Sequence, residues 1–81
     1  MNQSIQILDG AVYAVDKKSL KIEAIFSGQL INCYINGADE ETLLSLYASQ
    51  QFDIEELLEK LIDDECFDSS GDIHLNAEQL I

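Results

Sequence analysis

The residues best suited to chemistry crowd one stretch, DDECFDSSGDIHLN, from Asp63 to Asn76, with five carboxylates, a thiol, two hydroxyls and an imidazole. Carboxylates around a glycine followed by isoleucine suggest a calcium loop of the EF-hand kind. Register decides the matter. With Gly71 at the sixth loop position and Ile73 at the eighth, Asp68 falls third and Ser70 fifth, all acceptable for calcium. The first position then falls on Cys66 and the twelfth on Ala77, where an Asp and a bidentate Glu are needed. Shifting by one to use Glu78 places Phe67 first and loses the glycine. The stretch therefore fails as an EF-hand. Ser69-Ser70-Gly71 reads as a turn with Gly71 at positive φ, and DIHL as a return strand. A cation site of another kind would use Glu65, Asp68, Asp72 and His74.

Nucleophilic chemistry would need Cys33 and His74 to meet, since both are on expected strands. Cys33 alternates with Ile31 and Ile35, which places it on a buried face as an inert small hydrophobe. Surrounding acids also raise a thiol's pKa. Carboxylates as dense as these more often make a solvated face than an acid and base pair. No catalytic, cofactor-binding or metal residue is therefore assigned, no cofactor is expected, and the chain is expected not to be an enzyme.

The elements that would hold these residues follow from periodicity. Apolar residues alternate at Ile5 and Ile7, at Leu20, Ile22, Ala24 and Phe26, and at Ile31, Cys33 and Ile35, which predicts strands. Asp9-Gly10, the DKKS of residues 16–19 and Ser27-Gly28-Gln29 are expected to be the turns between them. Asn36-Gly37 is the exit from sheet to helix, because ADEETLLSLYASQ has apolar residues at 43, 44, 46 and 47. A second helix carries Ile54, Leu57, Leu58, Leu61 and Ile62 as one stripe that must cover the sheet. Asp53 is its expected N-cap, with Glu56 completing a capping box and Phe52 stapled to Leu57. Its end carries Asp63, Asp64 and Glu65, where the helix dipole is negative.

These elements predict one α+β domain over residues 1–81. It has an N-terminal antiparallel β-meander, two α-helices packed on one face and a short C-terminal strand. MNQSIQI, FSGQLINCYI and FDIEELLEKLIDDECFDSSGDIHL together resemble a small bacterial family known as a domain of unknown function, number 1488, over most of residues 1–75. The resemblance implies the same architecture, strands first and helices on one face. It brings no catalytic or binding residues with it.

The charge bears on partners. The net −12 of the 81 residues is unevenly placed: residues 1–35 balance Asp9, Asp16 and Glu23 against Lys17, Lys18 and Lys21. Residues 36–81 set thirteen acids against Lys60 alone. With no arginine and this charge, neither direct nucleic-acid binding nor an anionic membrane is expected. No apolar run nears the ~18 residues that span a bilayer, and MNQSIQILDG does not read as a signal peptide. Two cysteines are too few for a disulfide scaffold, so a reduced, cytoplasmic protein is expected. The expected function is a non-enzymatic protein-binding or regulatory module, a monomer and a homodimer both being compatible; its acidic surface serves solubility first and allows a basic protein as partner. One alternative is a small metal-binding protein or enzyme using Asp68, Asp72 and His74. A second is an acidic, DNA-mimic-like protein.

Overall fold

The computed structural model describes residues 5–80; Met1–Ser4, which open the MNQSIQI stretch, and Ile81 lie outside the described residues. Three strands come first: β1 (Ile5–Ala14), β2 (Ser19–Phe26) and β3 (Gln29–Asn36). Two helices follow, α1 (Glu40–Ser49) and α2 (Gln51–Asp63), then β4 (Ile73–Asn76). Short 3-10 turns occupy Val15–Lys17 and Ala77–Leu80. The four strands form one sheet in the order β1-β2-β3-β4.

Alternation decides what each strand buries. Leu20, Ile22 and Ala24 of β2, Cys33 and Ile35 of β3, and Ile73 and Leu75 of β4 point inward and are shut off from solvent. They meet Leu43 of α1 and Ile54, Leu58 and Ile62 of α2, so the expected stripe does cover the sheet. Both helices lie on this face, and the architecture is the α+β arrangement expected. β1 and β2 pair antiparallel, as do β2 and β3. Ser27 and Gly28, both at positive φ, form the two-residue loop between β2 and β3.

β4 departs from the meander by running parallel to β3, with Cys33 opposite Ile73 and Ile35 opposite Leu75. A parallel neighbour needs a long crossover, which α1 and α2 supply. Asn36-Gly37 is indeed the exit from the sheet. Asp39 then caps α1, its carboxylate accepting from the Thr42 N–H at 3.1 Å. That bonding from Thr42 holds the Asp39 carboxyl below its ordinary range.

Two expectations about local structure need correction. Asp9-Gly10 is not a turn, because β1 continues through it to Ala14. Pairing passes from Ile7 opposite Ala24 to Ala11 opposite Ile22, so four steps on β1 answer two on β2. The extra residues form a bulge, and the Gly10 N–H donates to the Tyr47 hydroxyl at 3.2 Å, which ties the bulge to α1. Nor is Asp53 the N-cap of α2. The helix begins two residues earlier, at Gln51, straight after a break at Gln50 whose N–H still donates to the Leu46 carbonyl. Asp53 therefore lies inside the first turn, and Phe52 is 85% exposed and staples nothing. Because the preceding helix supplies the start of α2, no separate cap is needed.

The acidic end of α2 is closed by backbone geometry. Glu65 takes a left-handed conformation at φ 57°, its N–H donating to Ile62 and that of Cys66 to Leu61, the two bonds of a Schellman motif. Glycine usually holds that position, since a side chain there costs about 1–2 kcal/mol. Glu65→Gly should therefore raise unfolding free energy in urea by roughly 1 kcal/mol, the gain being tempered by a more flexible unfolded chain. An unchanged or lower stability would mean that the helix does not end in this motif.

Candidate functional site

One side of the sheet carries no helix. Across it Val12, Lys21, Tyr34 and His74 stand in one row, each the register partner of the next, over all four strands. The His74 ring stacks on that of Tyr34, with centroids 5.6 Å apart and planes at 24°. Lys17 also reaches over the Tyr34 ring, its Nζ 5.3 Å from the centroid. Tyr34 is consequently only 5% exposed although no helix covers it.

His74 is fixed from its other side by Asp68, with Nε2 and Oδ2 2.6 Å apart. The second oxygen of Asp68 accepts from the Ser70 and Asp72 amides at 2.8 and 2.9 Å. The Asp68 N–H donates to the Asp72 carbonyl, and the Gly71 N–H donates to the Asp68 carbonyl. One carboxylate thus folds the loop and pins it to β4. Gly71 has the expected positive φ, 86°.

Hydrogen bonding to the charged form, from the Asp72 amide first and then from His74 and the Ser70 amide, draws the Asp68 carboxyl down to about 2. Since an unfolded Asp titrates near 3.9, the stability owed to this carboxylate is complete above about pH 4. It is lost as pH falls through about 2. Urea midpoints of the protein and of Asp68→Ala should differ at about pH 5 and converge toward about pH 2. A gap that persists in full at the lowest pH would show that the charge does not hold the loop.

Of the residues considered for a cation, only Asp68 and His74 are brought into contact. Among the described residues no three His, Cys, Asp or Glu side chains gather as a metal ion requires. The Asp68 oxygens are already engaged with two amides and an imidazole. Cys33 and His74 do not meet either: Cys33 is buried under the helices, whereas His74 is on the opposite face. Burial, with Asp72 adding to it, pushes the Cys33 thiol up to about 12, far from a thiolate at neutral pH. Cys66 is exposed, and both thiols are free.

A groove of about 540 Å³ opens where the β2–β3 hairpin faces this loop, lined by Phe26, Leu30 and Ile31 on one side and Phe67, Ser70 and Gly71 on the other. The Phe26 and Phe67 rings, with centroids 6.3 Å apart, meet across it. Leu30 is 59% exposed at its rim. Periodicity could not reveal the groove, because Phe67 belongs to no repeating element and Leu30 reads as an ordinary strand residue. Among the described residues, the one ion pair between a lysine and a carboxylate is Lys21 with Glu23 at 3.9 Å. The exposed acids of α2, Asp53, Glu56, Glu59 and Asp63, have no base at ion-pair distance among the described residues. No helix among the described residues is long and apolar enough to cross a membrane.

A family model described as "Protein of unknown function (DUF1488)" matches residues 5–75. A crystal structure of a protein of unknown function from that family, from Shewanella loihica PV-4, has the same fold, with a TM-score of 0.80. The two chains are 35% identical, and the match covers 93% of this chain and 94% of the other. No curated protein matches the chain at a significant level.

Proposed function

Since the chain belongs to the DUF1488 family of proteins of unknown function, we propose that it is a non-enzymatic binding module that engages a basic protein in the cytoplasm. The observation that carries the proposal is the division of its surface. Helices bearing exposed, unpaired carboxylates form one side, and a sheet face without helices, crossed by the row from Val12 to His74, forms the other. Unpaired surface acids draw in a cationic protein and repel phosphate backbones and anionic lipid. The groove sets Phe26, Leu30, Ile31 and Phe67 beside the polar Gln29 and Ser70 and lacks a nucleophile paired with a base, which suits recognition better than turnover. Two free thiols suit a reducing compartment.

The test is retention of proteins from the native cell's extract on the immobilised chain, followed by titration of whatever is retained as a purified protein. A basic protein should bind stoichiometrically and release as salt approaches the range where the screening length falls below about 10 Å. Retention of neutral or acidic proteins unaffected by salt would remove the electrostatic basis of the proposal. Consumption of a small molecule by the purified chain would replace it with an enzyme.

A further inference from the structure

β3 is longer than its neighbour. β4 pairs with it only from Cys33 to Asn36, so Gln29–Asn32 have β2 on one side and, among the described residues, no strand on the other. Phe26 and Gln29 flank a two-residue hairpin loop and exchange hydrogen bonds, and alternation then turns the Leu30 N–H and C=O away from β2, toward the unoccupied edge. That edge runs along the groove whose far wall is Phe67, Ser70 and Gly71. In the same stretch, the side-chain oxygen of Asn32 is buried and accepts no hydrogen bond. A short length of unpaired strand edge beside a groove of mixed apolar and polar lining is the combination that captures an extended peptide.

We propose that residues 29–32 of β3 bind an extended, basic segment of a partner protein, which adds to the sheet as a short strand in line with β4. This deepens the binding-module reading and rests on it. Four residues of strand span about 13 Å. One side chain of the added segment packs over the paired Phe26 and Phe67 rings, and the groove, at about 540 Å³, takes a large aliphatic or aromatic group. The charge of the segment follows from its surroundings. Asp68 and Asp72 stand in the loop forming the far wall, and residues 61–73 hold no base. Lysine or arginine flanking the apolar position therefore complements the site. A second copy of this chain, itself at net −12, brings charge of the wrong sign.

The experiment selects nine-residue peptides from a randomised display library against the full chain, then measures each by calorimetry with variants. Leu30→Pro removes the N–H on the open edge while leaving the β2 ladder intact. Ser70→Trp fills the groove from the other wall and carries the test should Leu30→Pro fail to keep its circular dichroism and unfolding midpoint. Phe52→Ser is the control, since that exposed ring lies on α2, away from the groove. Selected peptides should pair an apolar position with flanking Lys or Arg, lose roughly tenfold or more in affinity in Leu30→Pro and Ser70→Trp, and bind Phe52→Ser unchanged. Peptides sensitive to Phe52→Ser and indifferent to Leu30→Pro would overturn this site and leave the binding module standing. Acidic peptides, or a dimer in sedimentation that Leu30→Pro dissolves, would overturn the assignment of the partner. No selected peptide together with no protein retained from extract would overturn both proposals.

Discussion

Leu58→Ala should cost about 2–5 kcal/mol of unfolding free energy, the largest loss expected from any single substitution considered. Leu58 is at the middle of the buried stripe of α2, between Ile54 and Ile62, with no exposed surface. Removing its branched end loses the transfer free energy of three carbons and leaves a cavity that the surrounding Leu and Ile side chains fill only in part. Few neighbours are free to collapse, because β2, β3 and β4 all contribute fully buried residues to the same cluster. A domain of this length holds roughly 4–12 kcal/mol in total, so the variant is expected to be partly unfolded at 37 °C. Urea unfolding at 25 °C measures the effect. A loss below about 1 kcal/mol would mean that the α2 stripe does not face the sheet.

The same stripe shows which parts of the fold are legible from sequence. Ile54, Leu58 and Ile62 recur with the helical period, and Leu20, Ile22 and Ala24 with the period of a strand, because burial of one face imposes both patterns. What periodicity does not carry is the boundary between elements. Gln51 begins α2 straight after the break at Gln50 that closes α1, a fact of neighbouring structure, whereas Asp53 has the composition of a cap without its place. Asp9-Gly10 fails similarly. The two residues are equally suited to a tight turn and to a bulge, and the choice is made by Ala11 and Tyr13, which resume packing on the core side.

The site was less legible for a related reason. Asp68 and His74 look like candidate ligands in sequence, and the structure brings them together, but it engages the carboxylate with the backbone of its own loop. A polar residue in a turn has local amides as competitors for any external ion. Tyr34 gave no signal of its stacking, since its partners come from a loop and from a strand whose parallel placement only the crossover determines. The open edge at Gln29–Asn32 is likewise a difference in length between two paired strands, which neither strand's sequence contains alone.

Gly37→Ala tests that crossover at its first residue, with an expected cost of about 2–3 kcal/mol from two sources. Gly37 has φ at +94°, a conformation that costs a side-chain-bearing residue about 1–3 kcal/mol. A methyl group there would also stand 2.8 Å from Oδ1 of Asn76 and 3.2 Å from its Cγ, inside contact distance. Asn76 cannot swing aside freely, because that Oδ1 accepts the Glu78 N–H at 2.8 Å and so starts the turn Ala77–Leu80. Ala77 and Leu80 of that turn are buried in the core, and the strain would pass from the β3 exit to the end of the chain. The two sources separate in a double-mutant cycle with Asn76→Ala, which removes the colliding amide and leaves the backbone conformation as it is. Gly37→Ala should cost less in the Asn76→Ala background by roughly 1 kcal/mol, within the range of couplings between residues in contact. Equal costs in both backgrounds would place the whole effect in the backbone and show that Asn76 does not close over Gly37 in solution. No cost in either would mean that the chain leaves β3 by another route, and the parallel pairing of β4 that depends on this exit would have to be abandoned.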